Sequence, residues 1–323
     1  MELLSKLNTL APLVGNTPLV EISVKIGNNK FKIYAKCEMF NISGSIKDRC
    51  VLAILQSAIK CGEITPNSVL MEATSGNTGI SLACMGAYLG NKVSIVMPKS
   101  ASIERKKLMQ AYGAKVVLSH TNMLQTLQNC VKKTPNAFVL RQFESNINPL
   151  VHYLNTAPEI IGALTRNHLC LSAFACGVGT GGTFMGIGGF LKKHYNVKAY
   201  ALQSSNVDLL NSNKAGAHML QGLASEFSPP LFNRELATEI LSVNDIDAVY
   251  IAQKLCKTLG LGVGISSGAN VLGSIMACVN YGHSNCATVL PDDNKKYLST
   301  TLCEKVSPSK FAHSICFDGL RVI

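Results

Sequence analysis

The chain has 323 residues, 47% of them hydrophobic and 15% charged, so it can bury a large core and is not a disordered protein. Its formal charge of +11 comes from scattered basic residues without an aromatic-interleaved stripe, which excludes a nucleic-acid partner and favours anionic small molecules. Twelve cysteines without a CxxC pair, and no HExxH motif, predict reduced thiols, a cytoplasmic location and no metal site. The uncharged stretch 169–191 holds seven glycines, so no membrane segment is predicted.

Strand-like and helix-like runs alternate along most of the chain, which is typical of an α/β protein built from doubly wound parallel sheets. In chain order the runs predict a helix at 3–10, a strand at 31–37, a helix at 50–59, a strand at 68–73, a helix at 77–89, a strand at 92–97, a helix at 103–112, strands at 115–118 and 137–141, a helix at 149–164, a strand at 171–175, a helix at 183–194, a strand at 199–203, helices at 246–259 and 269–279, and a strand at 287–290. The irregular stretch 204–234 predicts a long surface connection.

In doubly wound sheets, ligands bind beyond the carboxyl ends of the strands, so motifs in strand-to-helix turns converge on one crevice. The first such turn is 41–49, in which Ser43-Gly44-Ser45 supplies capping residues and Lys47 lies in the first turn of a helix. Helix N-termini favour anions. Lys47 is therefore either a solvated side chain or an amine whose pKa is lowered so that it can attack an aldehyde.

Two further turns predict anion sites. The second turn, Thr74-Ser75-Gly76-Asn77-Thr78-Gly79, offers hydroxyls, an amide and helix-start N–H groups, which suit a carboxylate or an ordinary capped helix. The third, Gly177 to Thr183, combines glycines with two threonine hydroxyls and suits a monophosphate. Its glycine spacing formally matches a dinucleotide fingerprint, but no acidic residue ends the next strand.

The fourth turn, 264–268, matches the G-x-S-x-G nucleophile elbow of hydrolases. A hydrolase would use Ser266 as its nucleophile, with Asp292 and His313 following in the required order. This alternative leaves the lysine turn, the carboxylate turn and the phosphate turn unexplained. A lysine, a carboxylate turn, a phosphate turn and a late serine are together what pyridoxal 5'-phosphate requires.

The chain closely resembles the cysteine synthase (O-acetylserine sulfhydrylase) and cystathionine β-synthase family, the fold type II pyridoxal phosphate enzymes. The motifs that carry the resemblance are VGNTPL at 14–19, GSIKDR at 44–49, EATSGNTG at 72–79, SIERKKL at 102–108, GTGGT at 179–183 and GISSG at 264–268. The resemblance implies a tryptophan synthase β-like fold of two α/β domains. It assigns residues 41–147 to a smaller mobile substrate-binding domain, and 1–40 with 148–323 to a larger cofactor-binding domain.

The resemblance also implies a role for each matching position. Lys47 would form the internal aldimine and later take the substrate α-proton, Asn77 would bond the ring hydroxyl of the cofactor, and Ser266 would meet its ring nitrogen. The phosphate would be held by Gly179, Thr180, Gly181, Gly182 and Thr183. The amino-acid substrate would be held by Thr74, Ser75, Gly76, Thr78, Gln142 and Gly222. A serine at the ring nitrogen suits β-elimination to an aminoacrylate, to which a nucleophile then adds.

The implied reaction is that of cysteine synthase, in which O-acetylserine and sulfide give cysteine and acetate. The implied partners are a second copy of the chain in a homodimer and serine acetyltransferase. Ile42 stands where the family usually has proline, and the stretch 221–226 departs from the family pattern without offering a cation at Ala224, so the donor ester stays open. Other donors or nucleophiles (cystathionine, cyanoalanine, lanthionine or diaminopropionate-type synthases) and a catalytically silent binding protein remain as alternatives.

Overall fold

Two β-sheets, one of seven strands and one of four, organise the computed structural model, which describes residues 2–120, 122–224 and 226–323. The α-helices found there are α1 (Glu2–Leu10), α2 (Lys47–Lys60), α3 (Asn77–Leu89), α4 (Ile103–Ala111), α5 (Met123–Lys132), α6 (Ile147–Val151), α7 (Ala157–Arg166), α8 (Gly182–Tyr195), α9 (Leu209–Ser212), α10 (Asp245–Leu259), α11 (Ile265–Tyr281) and α12 (Lys310–Ser314). The strands are β1 (Leu19–Ile26), β2 (Asn29–Cys37), β3 (Val69–Ala73), β4 (Lys92–Pro98), β5 (Lys115–Ser119), β6 (Ala137–Val139), β7 (Ala173–Gly177), β8 (Lys198–Ser204), β9 (Glu239–Val243), β10 (Asn285–Leu290) and β11 (Cys316–Val322).

The larger sheet has the strand order β11-β1-β2-β10-β7-β8-β9. From β2 to β9 all neighbours are parallel, whereas β1 is antiparallel to both β2 and β11. Helices α10 and α11 pack on one face of this sheet, and α7 and α8 pack on the other. The predicted doubly wound α/β class is confirmed, with an antiparallel edge that the sequence reading did not include.

The smaller sheet, in the order β5-β4-β3-β6, is parallel throughout. Helix α3 is apolar on every side, and it lies between this sheet and helices α1, α2 and α4. Its Gly86 allows close packing on β4, because a Cβ there would lie 2.3 Å from Cγ2 of Val93. The start of α3 is thereby fixed at the carboxyl end of β3, where the carboxylate turn lies.

Most predicted helices and strands are confirmed within two or three residues, but several details differ. The predicted helix 149–164 is divided by a π-helix, His152–Thr156, and such segments occur frequently at functional sites. Helix α11 begins at Ile265, so the G-x-S-x-G motif forms its first turn. Elements α5, β9 and β11 were not predicted. The stretch 204–234 is mostly irregular, as predicted. None of the helices in the described ranges is long and apolar enough to cross a membrane.

Candidate active site

A cavity of about 740 Å³ lies where the carboxyl ends of strands from both sheets meet. Its walls come from the turns after β3, β7 and β10, from the first residues of α2, α3 and α11, and from the connection near Gly222. Every residue predicted to bind the cofactor or the amino-acid substrate lines this cavity except Gly182, which is buried within the phosphate turn. Ser225, in the stretch 221–226, lies outside the described residues.

Lys47 is the first residue of α2, and it is half-buried with its side chain on the cavity. Within the described part of the chain, no carboxylate lies within ion-pair distance of its amine. Its neighbour Arg49 is instead fixed by Glu38 at 2.7 Å and by Glu159 at 2.7 Å. The backbone at Lys47 is therefore held by its neighbours, while its amine remains available to a ligand.

The capping prediction for this turn was wrong. The N-cap of α2 is Ile46, which makes no side-chain cap bond, and Ser45 Oγ accepts only a 3.3 Å hydrogen bond from the Lys47 N–H. The buried carboxylate of Asp48 reaches back instead and accepts from Ser43 N at 2.8 Å and from Ser43 Oγ at 2.5 Å. The turn is thus held by an acid of the helix that bonds back to Ser43, and not by a serine that caps the helix N–H groups.

The carboxylate turn follows β3 and opens α3, so the free N–H groups at the start of that helix face the cavity. Thr78 Oγ donates to Gln142 Oε1 at 2.6 Å, which joins the turn to the segment after β6. Asn77 donates through Nδ2 to Asp292 at 2.7 Å, while its Oδ1 is buried without a partner. That orphaned oxygen can accept a hydrogen bond from a hydroxyl of a bound ligand.

A buried carboxylate supports this turn from behind. Glu72 accepts from the Ala73 N–H at 2.9 Å and from the Gln142 N–H at 3.3 Å. Arg141, the residue before Gln142, has a left-handed φ of 54°. Burial raises the pKa of the Glu72 carboxyl to about 7, against the lowering effect of the backbone N–H groups that face it. Glu72 thus holds both segments of the carboxylate site.

The phosphate turn is shaped by close backbone contacts. A Cβ at Gly179 would lie 2.2 Å from the Gly222 carbonyl oxygen, and a Cβ at Gly182 would lie 2.0 Å from Asn148 Oδ1. Gly181 has a left-handed φ of 90°. Threonine side chains and the start of α8 lie beside these glycines on the cavity, and N–H groups at a helix start favour an anion.

Two neutral side chains support the phosphate turn from the segment before α7. Asn148 Nδ2 donates to Thr180 Oγ1 at 2.9 Å, and His152 Nε2 lies 3.4 Å from Thr183 Oγ1. Burial lowers the pKa of the His152 imidazole to about 3, so it is uncharged at neutral pH. Sequence reasoning missed Asn148 and His152. What sets them apart is their position, since Asn148 lies just before the π-helix and His152 is its first residue.

The hydrolase triad is not assembled in this fold. Ser266 lines the cavity, but Asp292 accepts from Asn77 and from the Tyr297 hydroxyl, at 2.7 Å each. His313 is exposed beside Tyr250 and is not among the residues that line the cavity. In the described ranges, no group of three or more His, Cys, Asp or Glu side chains could hold a metal ion.

The residues present fit a phosphorylated hydroxypyridine aldehyde. Lys47 offers an amine, the turn at 179–183 offers a phosphate site, and the unpartnered Asn77 Oδ1 offers an acceptor for a ring hydroxyl. Ser266 offers a neutral hydroxyl on the same cavity. The donor set is therefore consistent with pyridoxal phosphate.

Comparisons with known proteins agree with this chemistry. Residues 10–292 match the family described as "Pyridoxal-phosphate dependent enzyme". Cysteine synthase B of Campylobacter jejuni is 39% identical over 91% of this chain and 97% of its own. Cysteine synthase of Staphylococcus aureus is 36% identical over 91% of this chain and 96% of its own.

Solved structures give the same result. A hydrogen sulfide-producing enzyme from Fusobacterium nucleatum aligns with a TM-score of 0.92 and 37% identity, over 99% of each chain. O-ureido-L-serine synthase aligns with a TM-score of 0.85 and 31% identity, over 93% of this chain and 96% of its own.

Proposed function

From the premise that this chain belongs to the pyridoxal-phosphate-dependent enzymes and is of the cysteine synthase type, we propose that its substrates are O-acetylserine and sulfide. The reaction is a β-replacement, in which the substituent on the β-carbon of an activated serine is exchanged for a nucleophile. The observation that supports this proposal best is the half-buried, carboxylate-free Lys47 between a carboxylate turn and a phosphate turn on one cavity.

Pyridoxal phosphate, when bound, supplies an aldehyde for amines and a ring that withdraws electrons from the substrate α-carbon. In this proposal, the turn at 179–183 holds the phosphate, Asn77 accepts from the ring hydroxyl, and Ser266 faces the ring nitrogen. The hydroxyls of Thr74, Ser75 and Thr78 hold the substrate carboxylate together with Gln142 and the backbone at Gly76. Lys47 Nζ, once free, takes the proton from the substrate α-carbon, and Gly222 borders the space for the β-substituent.

A second candidate function is the release of hydrogen sulfide from cysteine. It is supported by the likeness to the Fusobacterium enzyme, which covers 99% of both chains, including the C-terminal part beyond the family match. The two candidates use the same residues and differ in whether sulfide enters or leaves. Product analysis with each substrate pair distinguishes them.

The domain division, the oligomeric state, the protein partner and the location are also proposals. We propose that residues 41–147 close over the substrate, because they contain the four-stranded sheet and the carboxylate turn. A homodimer is supported by exposed apolar side chains, among them Phe40 at 67% and Leu154 at 59% exposure. Light scattering of the purified protein tests this state.

We also propose that a serine acetyltransferase tail binds at the carboxylate turn. A cytoplasmic location is supported by the twelve free cysteines.

The central experiment compares the wild type with Lys47→Ala, using Lys60→Ala at the exposed opposite end of α2 as the matched control. We expect the visible absorption of the wild-type holoenzyme to change on addition of O-acetylserine, and cysteine to form when sulfide is added. Lys47→Ala should lose turnover by at least about a thousandfold, while Lys60→Ala should keep it. Near wild-type turnover in Lys47→Ala would contradict the assignment.

A further inference from the structure

Arg105 is a buried cation on the cavity to which the proposed reaction gives no role. It is the third residue of α4, only 3% exposed, and its side chain lines the cavity. Across the described residues, no carboxylate lies within ion-pair distance of it, whereas the buried cations Lys36 and Arg49 are both paired with Glu159. A buried charge without a counter-ion is costly, so its retention points to an anionic ligand.

The contacts of Arg105 join three parts of the cavity wall. Its Nη1 donates to Gln221 Oε1 at 2.5 Å, and its guanidinium carbon lies 4.5 Å from the centre of the Tyr297 ring. Its Nε is buried and has no hydrogen-bond partner. The side chain also presses on the carboxylate turn, since a Cβ at Gly76 would lie 2.8 Å from Arg105 Nε. The guanidinium is therefore held by Gln221 and Tyr297, and its buried Nε–H is left without an acceptor.

Arg105 lies between the carboxylate turn, which it contacts at Gly76, and the connection that carries Gly222, which it contacts at Gln221. The phosphate turn belongs to the cofactor, and the carboxylate turn belongs to the amino-acid carboxylate. Gln221 precedes Gly222, which lines the cavity and which the proposed function places beside the β-substituent. We therefore infer that Arg105 binds the oxyanion leaving group of the donor, a carboxylate or a phosphate oxygen, and so helps to select the donor. This inference rests on the proposed function.

A cation at that place assists the elimination step. As Lys47 Nζ takes the α-proton, the electron pair of the C–H bond becomes the second bond between the α- and β-carbons. The bond from the β-carbon to the ester oxygen breaks, and its electron pair leaves on that oxygen as acetate or phosphate. A fixed guanidinium stabilises the charge that develops on the oxygen, and it also binds a phosphate ester that is already charged. The sequence offered no cation at Ala224, but Arg105 reaches the same loop from α4.

The test uses holoenzyme and the variant Arg105→Gln, with Lys107→Gln as a control that removes an equal charge from an exposed position of the same helix. Three donors are compared: O-phosphoserine, O-acetylserine and β-chloroalanine, whose leaving group is a small halide. We expect Arg105→Gln to lower kcat/KM by at least about 100-fold for O-phosphoserine, about 10-fold for O-acetylserine and less than about 3-fold for β-chloroalanine. A loss only with O-acetylserine would identify the carboxylate as the anion recognised.

Inorganic phosphate and acetate provide a readout that does not depend on turnover. Their inhibition constants should rise at least about 10-fold in Arg105→Gln and stay unchanged in Lys107→Gln. Arg105→Lys, which keeps the charge, should restore part of the phosphate binding and serves as the second variant if Arg105→Gln does not fold. Equal losses for all three donors, or unchanged anion inhibition, would overturn the inference. A wild type inactive with every donor and with cysteine would instead overturn the proposed function.

Discussion

The turns that open α3 and α8 both present helix N–H groups to one cavity, yet they are built and supported differently. The turn at α8 is shaped by glycines whose missing Cβ atoms leave room for neighbouring atoms, and its supports, Asn148 and His152, are neutral. The turn at α3 carries hydroxyl side chains, and its neighbours Glu72 and Arg105 are ionisable. The α8 turn is shaped by close packing, whereas the α3 turn depends on the charges of the residues around it.

The difference corresponds to the ligands that we assign to each turn. A phosphate that stays with the enzyme needs a rigid site whose affinity does not depend on the charge of its supports. A substrate carboxylate must enter and leave in every turnover, and its site lies between the two sheets, where Gln142 and Arg105 connect segments that are distant in sequence. Changes behind the α8 turn should therefore affect cofactor retention, and changes behind the α3 turn should affect substrate binding.

The largest effect is expected from Gly182→Ala. The new Cβ would lie 2.0 Å from Asn148 Oδ1, so either Asn148 or the start of α8 must move, and the Thr180 hydroxyl loses its support. We expect the dissociation constant of pyridoxal phosphate to rise at least about 100-fold, measured by loss of the visible absorption on dialysis. The control is Gly189→Ala in the same helix, where a Cβ would meet nothing within 4 Å. Full cofactor retention in Gly182→Ala would mean that the α8 turn does not depend on close packing, and so does not differ from the α3 turn in this respect.

The next effect is a pH dependence of stability that originates from Glu72. Its pKa is raised from 4.5 to about 7 in the fold, so its stabilising contribution is complete below pH 4.5 and is lost as the pH rises to about 7. The loss is at most about 3 kcal/mol of unfolding free energy. His152, whose pKa is lowered to about 3, acts in the opposite direction, because its contribution is lost as the pH falls from 6.5 towards 3.

Urea unfolding of the wild type and of Glu72→Gln at several pH values isolates the contribution of Glu72. The free energy of unfolding of the variant, minus that of the wild type, should increase between pH 4.5 and 7 and then level off. A constant difference across this range would mean that Glu72 titrates normally.

The same variant should change substrate binding by a smaller amount. Glu72→Gln places an amide NH₂ or a neutral oxygen against the Gln142 N–H, so the left-handed turn at Arg141 loses its charged acceptor. We expect the KM for O-acetylserine to rise about 10-fold, with kcat changed less than about 3-fold and cofactor retention unchanged. Glu144→Gln, an exposed neighbour, is the matched control. A drop in kcat alone would assign Glu72 to the chemical step instead.

The sequence predicted the parts of this comparison that depend on adjacent residues. Helix α3 was predicted with its observed bounds and α8 within one residue, because a glycine-containing turn between a strand and a helix is a local signal. Within the lysine turn the cap was misassigned, because the N-cap Ile46 makes no side-chain bond, and the Asp48 carboxylate in the first turn of the helix bonds back to Ser43 instead. The Ser43 hydroxyl that donates to Asp48 also lies 3.1 Å from Ser81 Oγ, a contact that spacing alone does not reveal.

The supports of both turns were beyond the reach of the sequence. Asn148 and His152 support threonines that lie 32 and 31 residues further along the chain, which no local pattern indicates. Arg105 was visible as part of the motif 102–108, but its missing counter-ion becomes apparent only when its neighbours in the fold are known. The turns can therefore be predicted from sequence, whereas the residues that support them can be identified only in the tertiary structure.

The smallest effect is expected from the control variant Gly189→Ala. This variant tests why α8 contains so many glycines. Gly182 and Gly186 are pressed by Asn148 and by the backbone of the π-helix, and a Cβ at Gly186 would lie 2.3 Å from the Pro149 carbonyl oxygen. Gly189 has open space around it, so Gly189→Ala should raise the free energy of unfolding by about 0.5–1 kcal/mol through helix propensity alone. Urea unfolding measures this gain. A loss of stability would show that the α8 glycines serve the helix packing as a whole, and the fixed shape of the phosphate turn could then not be attributed to Gly182 and its immediate contacts.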